Sequence, residues 1–220
     1  REDNLTQDHA LRNIPVVPAM NQYYKGDFEY KSLANLSDIN SNFEIQDGVV
    51  YYVNKKMQFI GIDLATSKKI LQINIISKGF DIEQSNIHYT SFSIDKESAT
   101  IATNFGYVFY VDIQEKRLIW TAKIPNIIPL KPVIFGDEVF VFNGSGSVIT
   151  WSKTTGEIIF AGSNIDDQTG INFESVKGLE PEVIPSANLI VSYYRGALLF
   201  FDTRTKARFT VSLIERIMNF

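Results

Sequence analysis

Residues 99–112 read ATIATNFGYVFYVD and contain a local pattern that recurs along the chain. A run rich in alanine, threonine and isoleucine leads into the polar turn Asn104-Phe105-Gly106, and a second, apolar run then ends on Asp112. Glycine in such a turn accepts the positive φ that a tight hairpin requires. The stretch therefore predicts two antiparallel β-strands joined by a short turn.

The same pattern occurs four times, and each copy ends on a short polar residue. These end residues, called markers below, are Asp63, Asp112, Ser152 and Asp202. They lie 49, 40 and 50 positions apart, which is the repeat length of a four-stranded propeller blade. Six positions before each marker lies a turn residue, namely Met57, Gly106, Gly146 and Gly196. The chain is therefore expected to contain about four blades.

Apolar side chains occupy fixed positions in the strand that follows each turn residue. Side chains alternate between the two faces of a strand, so positions three and five after the turn share one face: Ile60, Phe109, Ile149, Leu199, and Ile62, Val111, Trp151, Phe201. The opposite face carries Phe59, Val108, Val148 and Leu198. A strand that is apolar on both faces is buried between two layers. We expect an all-β chain, a β-propeller of four-stranded antiparallel blades.

Each marker opens a polar turn, for example Gln114-Glu115-Lys116-Arg117, and a further strand follows. An Asp or Ser at this position can accept hydrogen bonds from backbone N–H groups two residues on. Residues 1–36 lack the repeat and are expected to form an N-terminal arm or a closing strand, whereas residues 37–220 form the blades. The best helical pattern, at residues 213–218, is short.

Composition and charge exclude several classes of protein. A net charge of −4 and a pI of about 5.3 leave no electrostatic footprint for nucleic acid. The absence of cysteine excludes disulfide scaffolds, thiol catalysis, Cys-ligated zinc and iron–sulfur clusters. No stretch approaches the roughly 18 consecutive apolar residues of a spanning helix. The aromatic residues, 13% of the chain, fall largely in the repeat columns and indicate packing.

Several units resemble PQQ-like propeller repeats. The resemblance is carried by residues 132–141 (PVIFGDEVFV), 146–149 (GSVI) and 154–160 (TTGEIIF), and also by residues 104–112 and 195–205. It covers residues 47–213 and is greatest for the non-catalytic, BamB-like outer-membrane assembly lipoproteins. It implies a non-enzymatic scaffold for protein–protein interaction whose partner is an envelope or barrel-assembly component. It also implies a periplasmic or otherwise extracytoplasmic location, with a lipid anchor whose signal is missing from this sequence, and no cofactor.

The resemblance leaves the size of the ring open, because BamB-like propellers have eight blades and four units are visible here. The chain is a fragment of a longer one, or the N-terminal arm adds a partial blade, or two copies complete a ring; we favour the fragment. The open ends of a half-ring would expose apolar blade faces.

Two other classes of function remain as alternatives. One is a quinoprotein-type propeller enzyme, which fits less well because many such enzymes have a vicinal Cys pair and a Ca²⁺ site. Asn164, Asp166 and Gln168 alternate, but the glycine and the acidic residue of a calcium loop are missing, so a solvated loop is expected. The other is an extracytoplasmic sensor or binding module of a larger membrane protein.

Candidate site residues are few, and we assign no catalytic, cofactor-binding or metal-binding residue. His9 and His88 lack partners and are expected to be structural. We expect the acidic pairs Asp166-Asp167 and Glu180-Pro181-Glu182 to be solvated, and the basic residues Arg204, Lys206 and Arg208 to form a solvated or partner-facing edge. Tyr193-Tyr194-Arg195 and Tyr23-Tyr24 have no partner imposed by the repeat. Tyr and Arg often carry binding energy at interfaces, so Tyr193, Tyr194 and Arg195 are the predicted partner-binding residues.

Overall fold

The computed structural model describes residues 38–76, 87, 90–124, 131–142, 147–162, 180–194 and 197–212, with the backbone alone for 193, 194, 197, 210 and 212. They belong to one compact unit, Leu33–Phe220. The N-terminal arm predicted for residues 1–36 lies outside the described residues, as do the turn residues Gly146 and Gly196.

Within the described residues, sixteen strands form four antiparallel sheets of four, each in chain order. The first blade contains β1 (Ile39–Gln46), β2 (Val49–Asn54), β3 (Gln58–Asp63) and β4 (Lys69–Asn74). The second contains β5 (Thr90–Ile94), β6 (Ser98–Thr103), β7 (Tyr107–Asp112) and β8 (Arg117–Lys123). The third contains β9 (Val133–Phe135), β10 (Glu138–Phe142), β11 (Val148–Ser152) and β12 (Ile158–Gly162). The fourth contains β13 (Glu182–Ile184), β14 (Leu189–Tyr194), β15 (Ala197–Asp202) and β16 (Arg208–Ser212).

This architecture confirms the prediction of an all-β chain of four-stranded antiparallel propeller blades. Between β13 and β14 the chain makes a short 3-10 turn, Pro185–Ala187. The first strands of consecutive blades contact one another, β1 with β5, β5 with β9 and β9 with β13. The blades therefore follow one another side by side, with their first strands together on the inner side.

The marker residues close the turn between the third and fourth strand of every blade. The side chains of Asp63, Asp112, Ser152 and Asp202 accept a hydrogen bond from the backbone N–H three residues on, at 2.6 to 3.2 Å. The predicted bond from the residue two positions on occurs at Asp202, where Arg204 donates at 2.8 Å. The common bond is therefore one residue longer in sequence than predicted, and the residue after its donor has a positive φ in every blade: Ser67, Lys116, Gly156 or Lys206.

Met57 adopts the conformation that glycine adopts in the equivalent turn. Its φ is 55°, against 76° for Gly106. Asn54 holds the turn, since its side-chain oxygen accepts the backbone N–H groups of Lys56 and Gln58 at 3.0 Å each. The Met57 side chain is fully buried in the core between the first two blades. Burial of this side chain thus accompanies a backbone conformation that usually favours glycine.

In the described residues three apolar cores fill the spaces between consecutive blades, and the strands that end on the markers of the second and third blades each contribute to the cores on both sides. Phe109 and Val111 pack in the core with the first blade, whereas Val108 on the opposite face packs in the core with the third. Leu199 and Phe201 pack against the third blade. The sequence predicts that both faces of these strands are buried at the twelve positions of the three apolar columns. Ten of the twelve side chains are fully or almost fully buried, and Ile149 and Leu198 are partly buried.

Trp120 joins the second blade to the third. Its ring stacks on Tyr110 with centroids 5.3 Å apart, and its indole N–H donates to the backbone oxygen of Lys153 at 2.9 Å. Gly156, in the same turn as Lys153, lies directly against the indole: a Cβ atom there would be 2.6 Å from the Trp120 ring. Equivalent turn residues in the other blades have a positive φ with a side chain, so it is the space occupied by the indole that makes glycine necessary at position 156, where φ is 70°.

We expect Gly156→Ala to lower the free energy of unfolding by about 2–4 kcal/mol, combining left-handed backbone strain with overpacking. Gly136→Ala is the matched control, because Gly136 also has a positive φ of 60° but a Cβ atom there would meet no other atom within 4 Å. The control should lose about 1–2 kcal/mol, from strain alone. Urea unfolding at pH 7 measures both, and equal losses would contradict the role assigned to Trp120.

Candidate interaction site

The predicted contact residues Tyr193 and Tyr194 end β14, which forms a hairpin with β15, and Arg195 follows them in the sequence. On the backbone, Tyr193 pairs with Leu198 and Tyr194 with Ala197. The side chains of both tyrosines, and Arg195 itself, lie outside the described residues. Because all four blades share one strand order, this hairpin lies at the same end of the blades as the connections from each blade to the next. In the equivalent hairpin of the second blade, Phe105 is 46% exposed.

A charge cluster links three blades near their first strands. The Lys131 ammonium lies 2.7 Å from Glu44 on β1 and 3.1 Å from Glu180, which precedes β13. Burial by itself would lower the pKa of Lys131, but the two carboxylates outweigh it and the pKa is raised. Glu180, predicted to be solvated, is 47% exposed but is ion-paired. The sequence does not predict this ion pair, because Lys131 is distant from Glu180 in sequence and contacts it only through the stacking of the blades.

Two further lysines connect neighbouring blades. Lys153 in the third blade pairs with Asp95 in the second at 2.7 Å. Lys206 in the fourth blade donates to both carboxylate oxygens of Glu138 in the third, at 2.6 and 2.7 Å. Each lysine comes from the turn that follows a marker and reaches back to the preceding blade. These pairs fix neighbouring blades to each other at the end that carries the tight marker turns.

The basic residues Arg204, Lys206 and Arg208 do not all form the solvated or partner-facing edge that the sequence predicts. Lys206 has 18% of its side chain exposed and is bound to Glu138. Arg208 begins β16, and its guanidinium carbon is 3.3 Å from where a Cβ atom of Gly162 would lie, so it approaches the third blade. Arg204, in the turn, is exposed as predicted. Alternation along the sequence does not reveal which of these side chains lies next to the preceding blade.

The Asp95 carboxylate both stabilises a turn and forms an ion pair. One carboxylate oxygen accepts the backbone N–H groups of Glu97 and Ser98 and the Ser98 hydroxyl, and the other accepts Lys153. Burial would raise the pKa of Asp95, but these hydrogen bonds and the Lys153 charge outweigh burial and lower it. The ionised form is therefore the one that the fold stabilises.

Metal-binding clusters and membrane-spanning helices are both absent from the described residues. Among them, no group of three or more His, Cys, Asp or Glu side chains could hold a metal ion. His9, His88, Asn164, Asp166, Asp167 and Gln168 lie outside the described residues, as do Tyr23 and Tyr24. In the part of the chain that the structure describes, no helix has the length and apolar character needed to cross a membrane.

Comparison with known proteins agrees with the architecture. No family model matches the chain. The sequence is 24% identical over 108 residues to the outer membrane protein assembly factor BamB of Moranella endobia (strain PCIT), covering 49% of this chain and 26% of that protein. BamB from Moraxella catarrhalis has a TM-score of 0.57 at 19% identity, covering 82% of this chain and 52% of the other. Quinohemoprotein alcohol dehydrogenase from Comamonas testosteroni has a TM-score of 0.59 at 13% identity, covering 82% and 36%.

This chain has a β-propeller fold that resembles the fold of BamB. It spans about half the length of the solved BamB chain, and the sequence match spans about a quarter of the Moranella BamB. The similarity to the dehydrogenase is a similarity of fold, since one propeller architecture supports both BamB and a quinone-linked enzyme.

We expect Asp95→Asn to lower the free energy of unfolding at pH 7 by about 1–2 kcal/mol, because it removes a charged hydrogen bond between two blades. The stabilisation from a carboxyl with a lowered pKa is present above its unfolded-state value of about 3.9 and is lost as the pH falls through its folded value. The difference from the native chain should therefore shrink below about pH 4.

Urea unfolding at pH 7, 5 and 3 measures this difference. Asp47→Asn in the exposed β1–β2 turn is the control and should change stability little at any pH. If the loss of unfolding free energy in Asp95→Asn stayed constant down to pH 3, the charge on Asp95 would not be the source of the stabilisation.

Proposed function

We propose that this protein is a non-enzymatic β-propeller scaffold that binds a protein component of the outer-membrane β-barrel assembly machinery. The observation that carries the proposal is the similarity to BamB in both sequence and fold, with 108 residues aligned at 24% identity and a structural match over 82% of this chain. As part of the same proposal, the protein works in the periplasm or another extracytoplasmic compartment and is held at the outer membrane by a lipid anchor.

The arrangement of charges favours a scaffold over an enzyme. A general acid and base need free groups with pKa values near the working pH. Lys131, between Glu44 and Glu180 at the inner strands, instead has its pKa moved further from neutrality by ion pairing. Lys153 and Lys206 are likewise engaged with carboxylates of neighbouring blades. In the described residues these charges hold blades together, which suits a rigid binding platform.

The β14–β15 hairpin, on the rim that carries the inter-blade connections, is the part of the scaffold that we assign to partner binding. Tyr193, Tyr194 and Arg195 come from this rim, in the β14–β15 hairpin. Tyrosine and arginine combine a large contact area with hydrogen-bonding groups, and a few such residues usually carry most of the energy of an interface. Hairpins of a rigid propeller present these residues with little loss of conformational entropy on binding.

The proposal predicts that the tagged chain recovers a barrel-assembly component from an extract of bacterial envelopes. Replacing Tyr193, Tyr194 and Arg195 together by alanine should reduce this recovery at least about tenfold, since loss of such contacts costs about 2 kcal/mol or more. Arg195→Ala alone, which leaves both strand tyrosines in place, should reduce it in the same direction. Quantitative mass spectrometry of the bound proteins measures the recovery.

Phe105→Ala is the matched control, because Phe105 occupies the equivalent hairpin of the second blade and is 46% exposed. It should leave recovery within about twofold of the native chain. Failure of the native chain to recover any assembly component would contradict the proposed function. Recovery that survives the triple substitution would instead show that the partner binds elsewhere on the propeller.

A further inference from the structure

The outermost strand of each blade has one edge that pairs with no other strand among the described residues. These outer strands are β4, β8, β12 and β16, each the last member of its sheet. The backbone N–H and C=O groups of such an edge can pair with a strand from another chain, and proteins commonly prevent this with charged side chains, above all lysine. How open each outer edge is to a further strand therefore depends on the side chains that it carries.

Charged residues lie on three of the four outer strands. They stand at the strand ends: Lys69 on β4, Arg117 and Lys123 on β8, and Arg208 on β16. The remaining outer strand, β12, has the sequence IIFAG and contains no charged residue. Among these strands, β12 is therefore the one least protected by charge against pairing.

The exposed side chains of β12 are apolar. Ile158 is 62% exposed and Ile159 is 49% exposed, and Ala161 is also exposed. A strand added at this edge would cover part of this surface, and apolar burial is favourable by about 25 cal/mol per Å². The edge of β12 thus combines backbone hydrogen-bonding groups with apolar side chains next to them.

Ile159 has a structural equivalent on β4, Ile70, and another on β8, Ile119. Each is the extra residue of a β-bulge between the third and fourth strand of its blade. The backbone oxygen of Ile70 already accepts a hydrogen bond from the Lys116 ammonium at 3.4 Å, and Ile119 packs into the core between the second and third blades. Because the three strands share the bulge, charge and exposure distinguish β12 from the other two.

We propose that the edge of β12 is an interaction site that binds an extended, apolar segment of another protein as a fifth strand of the third blade. An open sheet edge selects an extended partner, because only a strand pairs with its backbone groups in series. The exposed Ile158 and Ile159 select apolar side chains on that segment. This site is separate from the β14–β15 hairpin and goes beyond the proposed function.

Charge favours an uncharged or basic segment over a second copy of this chain. The chain has a net charge of −4, and the exposed Glu157 lies directly before β12. Pairing of two copies through β12 would bring two acidic molecules together, whereas a segment with lysine beside its apolar run complements the charge. The partner that fits is therefore a short apolar segment with basic flanks.

Fluorescence anisotropy with a labelled synthetic peptide tests the proposal. The probe alternates valine with threonine and has a lysine at each end, and it should bind the native chain with a dissociation constant below about 1 mM. Ile158→Lys and Ile159→Lys each place a charge at the edge and should each raise this constant at least about tenfold. Far-ultraviolet circular dichroism and urea unfolding establish that each variant remains folded.

Ile70→Lys is the matched control, since Ile70 occupies the equivalent bulge and is 46% exposed. It should leave the dissociation constant within about twofold of the native value, because Lys69 and Lys116 already protect that edge. An equal loss of affinity in Ile70→Lys and Ile159→Lys, or no binding at about 1 mM peptide, would overturn the proposal.

Methylation of the peptide backbone separates strand pairing from apolar adhesion. Alternate residues of a strand direct their N–H groups to opposite edges. Methylation of one alternate set of amide nitrogens should abolish binding, and methylation of the other set should leave it within about threefold. Equal effects of the two methylations would show that main-chain pairing is not involved and would overturn the proposal.

Two further measurements identify what occupies the edge. A dimer of the native chain in sedimentation velocity that Ile158→Lys removes would show a second copy as the occupant and would also overturn the proposal. Alanine substitution of Tyr193, Tyr194 and Arg195 together should leave peptide binding unchanged. Failure of the hairpin site and failure of the β12 site can therefore be distinguished.

Discussion

Each blade of this protein is apolar on both faces of its sheet, so a blade becomes stable only when a neighbour covers each face. A sheet with a single apolar face could end against solvent, as many antiparallel sheets do. Here Phe109 faces one core and Val108, the residue before it, faces the next. Burial of aromatic and branched side chains on this scale stabilises the stack at about 25 cal/mol per Å² of apolar surface. The serial stacking of the blades follows from this requirement.

Polar contacts determine how the blades align once apolar burial has brought them together. The side chain of Asn42 on β1 accepts the backbone N–H of Phe92 at 3.0 Å and donates to its carbonyl oxygen at 3.2 Å, so it serves β5 as a neighbouring strand would. Further out, Trp120, Lys153 and Lys206 each reach from one blade to the next. Such contacts are directional, and apolar packing alone does not fix the offset between two sheets.

Much of the fold could be predicted from the repeat, but little of the candidate site could be. The markers Asp63 and Asp202 accept hydrogen bonds from backbone N–H groups three residues further along the chain. Donor and acceptor lie in the same short stretch of sequence, so the turn can be predicted from that stretch alone. The pair between Lys206 and Glu138 joins residues 68 positions apart, and neither residue lies at a position that the repeat singles out. The role of Tyr193, Tyr194 and Arg195 remains a prediction, since the structure describes only the backbone of the two tyrosines, at the end of β14.

The sequence by itself determined the number of visible blades, the hairpins within them and the face of the strand on which each apolar column lies. These features depend on interactions within one blade and on the alternation of side chains between the two faces of a strand. Both can be read from the order of the residues. The tertiary structure alone decided which charges meet across blades and that Ile159 is exposed where its equivalent Ile119 packs between two blades. Those outcomes depend on whether a neighbouring sheet is present and how it is offset, and no pattern within a single blade contains that information.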